Sequence, residues 1–134
     1  MTNQSCKIAI ACKQGLVRAL LRNIVTAAAG VEIAGEACTV SELLELLKNS
    51  VVDLLLLDID LLKEHGKRTV ALIKDILPQI KILAVHKSKP HIAKSISDSV
   101  DGCFSMEHAP GQLNAVIETL RWGGVHTSNP APTP

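Results

Sequence analysis

Aromatic side chains are nearly missing from this chain of 134 residues, which has one Trp, one Phe and no Tyr. The core must therefore be aliphatic, and hydrophobic residues make up 47% of the sequence, which is enough to build one. Binding of single-stranded nucleic acid relies on aromatic side chains that stack on bases. We therefore interpret the charged segment KEHGKR, residues 63–68, as a solvated loop and expect no direct nucleic-acid binding by this chain.

An excess of charge and long apolar runs are also missing. The 14 Lys and Arg residues balance 13 Asp and Glu residues, so the net charge of +1 attracts the chain to neither DNA nor an anionic membrane. No segment reaches transmembrane length, and the N-terminal residues MTNQSCKIAIAC do not resemble a signal peptide. These absences predict a cytoplasmic protein with no membrane partner.

Cysteine pairs are missing as well. The four cysteines form no CxxC motif and have no histidine at metal-ligand spacing: Cys6, Cys12, Cys38 and Cys103. We therefore expect reduced thiols and no cofactor held by cysteine.

Five short apolar segments alternate with longer amphipathic ones. The short segments predict strands at Lys7–Ala11, Val31–Ala37, Val52–Asp58, Lys81–Val85 and Gly102–Ser105. Apolar residues at helical spacing follow each strand: Leu16, Val17, Leu20, Leu21, Ile24 and Val25; Leu43, Leu44, Leu46 and Leu47; Val70, Ile73 and Leu77; Ile92, Ile96 and Val100; Leu113, Val116, Ile117 and Leu120. Ser41 and Glu42 predict the start of the second helix, and Pro78 predicts the end of the third.

This alternation predicts a flavodoxin-like (βα)5 three-layer sandwich, with a parallel five-stranded sheet in the order 2-1-3-4-5. The third strand is apolar at four successive positions, so we expect it at the centre of the sheet, covered on both faces. One domain is expected over residues 1–124. Residues 125–134, VHTSNPAPTP, are small, polar and rich in proline, which predicts a flexible tail.

Two acidic residues, Asp58 and Asp60, lie at the end of the apolar segment VVDLLLLDID. In a doubly wound sheet the carboxyl ends of the strands lie along one edge, where ligand sites form. The residues that end the other strands are expected beside these acids: Cys12, Lys13, His86, Lys87 and Met106. The sequence therefore predicts a functional site at this edge.

From about Lys7 to Ser128 the chain resembles the receiver domains of two-component response regulators, in particular the subgroup that precedes a LuxR/NarL-type helix-turn-helix. The resemblance rests on LVRALL in the first helix, VEIAGEA and VDLLLLDID in the strands, and SVDGCFSMEHAPGQL around the fifth strand. It implies that Asp58 occupies the phosphoacceptor position and that RWGGVHTS begins a linker to an effector domain. It also implies signalling rather than enzymatic activity, with a sensor kinase or other signalling protein as partner and DNA binding only through the effector domain.

The other positions of the phosphorylation pocket depart from the family. The resemblance implies that Cys12 and Lys13 replace the two acids that bind Mg²⁺. It also implies that His86 replaces a Thr or Ser and that Met106 replaces a Lys. Cys103 stands in place of the aromatic switch residue, and Leu61 and Leu62 stand in place of a Met-Pro pair. Phosphoryl transfer depends on cations that neutralise the phosphoryl oxygens. We therefore expect Mg²⁺ to bind weakly or not at all, with Asp60 as one further oxygen donor of unknown orientation.

Lys13 stands where the metal would lie, so we expect it to form an ion pair with Asp58. At a separation of about 4 Å and an effective dielectric of about 20, the pair gains about 4 kcal/mol before desolvation. The alternative is that Asp58 is a solvated acid at a strand end. For Cys12, a reactive thiol and a packed, inert thiol are both open.

Two functions follow from the sequence. The first is an atypical receiver that regulates by protein contacts, most simply as a homodimer through its first and last helices. Trp122 is a large apolar candidate for that interface, and the alternative is that it packs back onto Leu16 or Leu20. The second is a small-molecule or redox sensor on the same scaffold that uses Cys12 and His86. An enzyme has little support, because no nucleophile and base form a local motif.

Overall fold

The computed structural model describes residues 5–63, 65–87 and 94–121. Its elements follow the predicted alternation: β1 (Cys6–Ala11), α1 (Gly15–Thr26), β2 (Val31–Ala37), α2 (Val40–Asn49), β3 (Leu54–Asp58), a short 3-10 helix (Ile59–Leu62), α3 (Gly66–Ile76), β4 (Lys81–His86), α4 (Lys94–Ser97), β5 (Gly102–Ser105) and α5 (Pro110–Arg121). The described strands form a parallel sheet in the order β2-β1-β3-β4-β5. The predicted flavodoxin-like three-layer sandwich is confirmed.

The central strand β3 is buried along its whole length. Alternate side chains of a strand point to opposite faces of the sheet. Leu54 and Leu56 accordingly pack in the core layer beneath α1 and α5, while Leu55 and Leu57 pack in the layer beneath α2 and α3. Each buried leucine contributes about 1.5–3 kcal/mol relative to an exposed one, so this strand anchors both layers.

The start of α2 differs by one or two residues from the prediction. The hydroxyl oxygen of Thr39 accepts a hydrogen bond from the Glu42 backbone N–H at 3.1 Å, and the Glu42 carboxylate accepts one from the Cys38 N–H at 2.8 Å. This reciprocal capping fixes Thr39 as the N-cap, so Ser41 and Glu42 lie within the first turn. The end of α3 before Pro78 is confirmed, with Leu77 as the residue that follows the helix.

Two leucines of the predicted core stripe on α1 lie at the surface. Leu16 is 86% exposed and Leu20 is 47% exposed, whereas Leu21 and Val25 are buried. Positions 16 and 20 are one turn apart and share the outer edge of the stripe. The inward face of α1 is therefore narrower than the sequence indicated.

The bounds of two strands differ slightly from the prediction. β3 begins at Leu54 rather than at Val52, and β4 extends one residue further, to His86. The predictions for Ile92, Trp122 and the tail 125–134 lie outside the described residues. Within residues 5–63, 65–87 and 94–121, no helix combines the length and apolar character needed to cross a membrane.

Candidate functional site

Asp58 lies at the carboxyl end of β3, between the ends of β1 and β4. The residue is only 5% exposed. The alternative in which Asp58 is a solvated strand-end acid is therefore wrong. A buried carboxylate requires hydrogen-bond donors, because its desolvation is costly otherwise.

Two donors meet the Asp58 carboxylate, one at each oxygen. The Cys12 thiol donates to Oδ2 at 3.3 Å, and the backbone N–H of Asp60 donates to Oδ1 at 3.0 Å. Cys12 itself is fully buried, and its N–H donates to the Ala37 carbonyl at 2.9 Å, which holds it in line with β1. The predicted proximity of Cys12 and Asp58 is confirmed.

The Cys12 thiol is held in its protonated form. Its pKa is raised to about 11, and burial is the largest cause. The hydrogen bond to Asp58 and the negative charge of that carboxylate also raise the pKa, while a hydrogen bond with the Gln14 backbone and the charge of Lys87 lower it. At neutral pH the group is a thiol donor rather than a thiolate. These observations favour the packed, inert interpretation of Cys12.

The predicted ion pair between Lys13 and Asp58 is wrong. Lys13 is exposed, and among the residues that the structure describes no salt bridge joins its ammonium to the Asp58 carboxylate. Successive side chains of an extended chain point in opposite directions, so Lys13 turns outward because Cys12 turns inward. A solvated ammonium also avoids the desolvation that a buried pair requires.

Lys87, which was predicted at this edge, holds the loop after β1 together with two residues that sequence reasoning missed, Gln14 and Arg18. The Lys87 ammonium donates to the Gln14 side-chain oxygen at 2.5 Å, which links the ends of β1 and β4. The Arg18 guanidinium donates to the Cys12 carbonyl at 2.9 Å and to the Glu36 carboxylate at 3.1 Å. The sequence places Lys87 at this edge because it follows a strand, but nothing in the sequence marks Gln14 or Arg18 as residues of the site.

The remaining predicted residues lie on the β4–β5 side of the sheet edge. His86 is buried and is paired in the sheet with Ser105, and its carbonyl accepts a hydrogen bond from the Met106 N–H at 2.7 Å. Met106 packs against the core layer beneath α1 and α5. Cys103 is buried, and burial raises the pKa of its thiol.

Asp60 lines a groove beside Asp58. Its carboxylate lies 3.9 Å from the Lys63 ammonium. The groove has a volume of about 450 Å³ and lies between the loops that follow β1, β2 and β3. The predicted edge residues therefore lie in two places. Cys12 and Asp58 are buried together, whereas Lys13 and Asp60 line a separate open groove.

The donor set at Asp58 does not fit the Mg²⁺ ion that the family resemblance implies. Mg²⁺ prefers a near-octahedral shell of oxygen ligands. Here the described side chain that bonds to the Asp58 carboxylate is a protonated thiol, and within the described residues no three His, Cys, Asp or Glu side chains are grouped as metal ligands.

The fold and the carboxylate at the end of its central strand define a CheY-like α/β signalling domain. The family model for the response regulator receiver domain matches residues 8–118. The chain therefore belongs to the response regulator receiver domain family.

A transcriptional regulator is among the proteins similar to this chain. The transcriptional regulatory protein MctR of Rhizobium johnstonii is 27% identical over 101 residues, which cover 74% of this chain and 47% of that protein. This chain thus spans about half the length of that relative.

Solved structures share the fold at low identity. A LuxR-family response regulator from Aurantimonas sp. SI85-9A1 superposes with a TM-score of 0.83 at 19% identity, covering 93% of this chain and 91% of that one. The isolated receiver domain of RcsB from Salmonella enterica serovar Typhimurium, with the phosphomimetic BeF3−, gives a TM-score of 0.81 at 20% identity over 92% of this chain and 94% of that one.

Proposed function

We propose that this chain is an atypical receiver that transmits its state through protein contacts, with little or no phosphorylation of Asp58. The observation that carries the proposal is the hydrogen bonding of the Asp58 carboxylate. One oxygen accepts from the Cys12 thiol at 3.3 Å and the other from the Asp60 N–H at 3.0 Å. Both oxygens of the nucleophile are thus engaged within the protein.

The chemistry of phosphoryl transfer supports the same proposal. A carboxylate that attacks a phosphoryl group must release its donors, and cations must neutralise the phosphoryl oxygens during transfer. Cys12 supplies a neutral thiol and Met106 a thioether, so neither supplies charge. Lys87 is the described cation that acts on Cys12, and its ammonium is bonded to Gln14. We therefore propose weak or absent Mg²⁺ binding.

An exposed apolar patch on α1 supports a homodimer contact. Leu16 and Leu20 lie one turn apart and are 86% and 47% exposed. α1 packs beside α5, so a surface that includes the patch extends over both helices. Such contacts would couple the chain to a sensor kinase or another signalling protein and to an attached or partner DNA-binding module.

The alternative redox or small-molecule role of Cys12 and His86 receives no support from the geometry. Cys12 is fully buried, and burial raises the pKa of its thiol to about 11, which disfavours the reactive thiolate.

Analytical ultracentrifugation tests the proposal directly. The sedimentation of the chain is measured from 1 to 200 μM with and without beryllofluoride and Mg²⁺, and the Asp58→Ala variant serves as the matched control. We expect a concentration-dependent dimer whose midpoint is the same in all samples. A monomer that dimerises only with beryllofluoride, and only when Asp58 is present, would contradict the proposal.

A further inference from the structure

The groove beside Asp60 has a composition that suits a small anionic ligand. It is lined by residues from three loops and from the first turn of α3: Lys13, Cys38, Thr39, Val40, Asp60, Leu61, Lys63, His65 and Thr69. Its volume of about 450 Å³ lies within the range of small-molecule sites. Neither Cys12 nor His86 takes part in it.

The amino end of α3 is uncapped at this groove. The N-cap residue His65 makes no side-chain cap bond, and the first turn contains no acid. The first turn instead carries Lys67 and Arg68, both exposed, which add positive charge to the positive end of the helix dipole. α2 differs, because Thr39 and Glu42 cap its amino end. An anion at α3 would satisfy free N–H groups that α2 satisfies internally.

Thr69 gives a second and independent indication. The residue is 6% exposed and lines the groove, yet within the described residues its hydroxyl makes no hydrogen bond. The Thr69 hydroxyl is not among the fully enclosed polar atoms that lack a partner in the described residues, so it is open to the groove, where a ligand atom could bond to it. Its backbone N–H, in contrast, is satisfied by the His65 carbonyl at 2.8 Å.

The charges in the groove also favour an anion. Lys13 is exposed, and the Lys63 side chain is 75% exposed and only 3.9 Å from the Asp60 carboxylate. That long, solvated pair is weak, so Lys63 remains available to a second anion. Val40 and Leu61 supply an apolar wall beside the charged groups.

We propose that this groove binds a small molecule that carries an oxyanion, a phosphate or a carboxylate, next to a short apolar group. The oxyanion contacts the amino end of α3, the Thr69 hydroxyl and the Lys63 ammonium, and the apolar group lies against Val40 and Leu61. This site is distinct from the phosphoacceptor position and does not depend on whether Asp58 is phosphorylated.

The test is an NMR titration of the 15N-labelled chain of 134 residues at constant ionic strength. The probes are phenyl phosphate, inorganic phosphate, benzoate and, as a neutral control, benzyl alcohol. We expect saturable shifts of the His65, Gly66 and Lys67 amide signals with phenyl phosphate or benzoate, a weaker effect of inorganic phosphate, and none with benzyl alcohol. The ratio of the half-saturation concentrations of phenyl phosphate and benzoate shows whether the groove prefers a phosphate or a carboxylate.

Three variants make the test specific. Lys63→Gln is expected to raise the half-saturation concentration about tenfold, because it removes a charge-assisted hydrogen bond. Thr69→Val, which keeps the shape of the side chain, is expected to raise it about threefold while leaving the fold intact. Lys48→Gln removes an exposed charge in the last turn of α2 and is expected to have no effect. Non-saturating shifts, equal effects of Lys63→Gln and Lys48→Gln, equal shifts with benzyl alcohol, or shifts centred on Asp58 and Cys12 would each overturn the proposal.

Discussion

The carboxylate of Asp58 accepts one hydrogen bond at each oxygen, and the two donors differ in what they contribute. The Asp60 N–H belongs to the backbone that follows β3, so any residue there could supply it. The Cys12 thiol depends on the identity of the residue at that position, because an acid there would repel the carboxylate unless a metal lay between them. At the residue scale, Cys12 is therefore the side chain that supplies a donor to Asp58.

The identities of the site residues could be predicted from the sequence, but their orientations could not. Cys12, Asp58 and His86 were placed at the sheet edge because parallel strands end together. Lys13 was predicted to face Asp58 and faces solvent instead, because its direction depends on where the strand pleat ends. The partners of Asp58 and the bond between Lys87 and Gln14 depend on side-chain rotamers, which a sequence pattern does not specify.

Removing the Cys12 thiol should destabilise the fold beyond the loss of packing. In Cys12→Ala, Oδ2 of the buried Asp58 loses its donor, and an unsatisfied buried acceptor costs about 1–3 kcal/mol. Cys103→Ala is the matched control, since that cysteine is also buried. Urea unfolding should show a larger loss for Cys12→Ala, with partial recovery in Cys12→Ser. Equal losses for the two alanine variants would refute a stabilising role for this hydrogen bond.

The raised pKa of Cys12 predicts a pH dependence of stability. The folded state keeps the thiol proton up to a pKa of about 11, whereas the unfolded chain releases it near 9.0. The stabilisation is therefore complete below pH 9 and is lost as the pH rises toward 11. Chemical unfolding at several pH values should show a steeper decline for the wild type than for Cys12→Ser. Burial also raises the pKa of the thiols of Cys6 and Cys103, and these remain in both proteins. Parallel curves would contradict the prediction.

At the scale of elements, the strands were predicted more accurately than the helix faces. β2 and β5 have the predicted bounds, because a short apolar segment between turns leaves little choice of where the strand begins and ends. On α1 the apolar pattern was wider than the buried face, so Leu16 and Leu20 were assigned to the core although they lie outside it. The spacing of apolar residues alone does not show which of them pack in the core and which form an exposed contact surface next to it.

The exposed leucines of α1 lead to a prediction about self-association. Changing both Leu16 and Leu20 to Gln should leave the free energy of unfolding of the monomer nearly unchanged, because both side chains already contact water. The same change should raise the concentration at which half of the chain is dimeric at least tenfold. Leu72→Gln on α3, at a position 42% exposed, is the control and should leave the midpoint unchanged. Sedimentation equilibrium measures both variants, and unchanged dimerisation in the α1 variant would exclude this surface.

At the scale of the whole molecule, an aliphatic core carries the receiver fold at low sequence identity. The chain keeps a receiver fold at TM-scores of 0.81–0.83 although the identity is only 19–20%. Two aliphatic layers on either side of β3 hold the sheet together. Cys12 belongs to the layer beneath α1 and α5, and Met106 packs against that layer, so the residues around Asp58 are joined to the core.

Mass spectrometry of the intact protein after incubation with acetyl phosphate and Mg²⁺ tests the central claim most directly. A phosphoryl group on Asp58 adds about 80 Da, and under the proposed function the described residues around that carboxylate supply too little positive charge for the transfer. We expect no such addition to the wild type under conditions in which a receiver with the full set of pocket residues is modified. Stoichiometric addition to the wild type that disappears in Asp58→Ala would contradict the claim that Asp58 does not act as a phosphoacceptor.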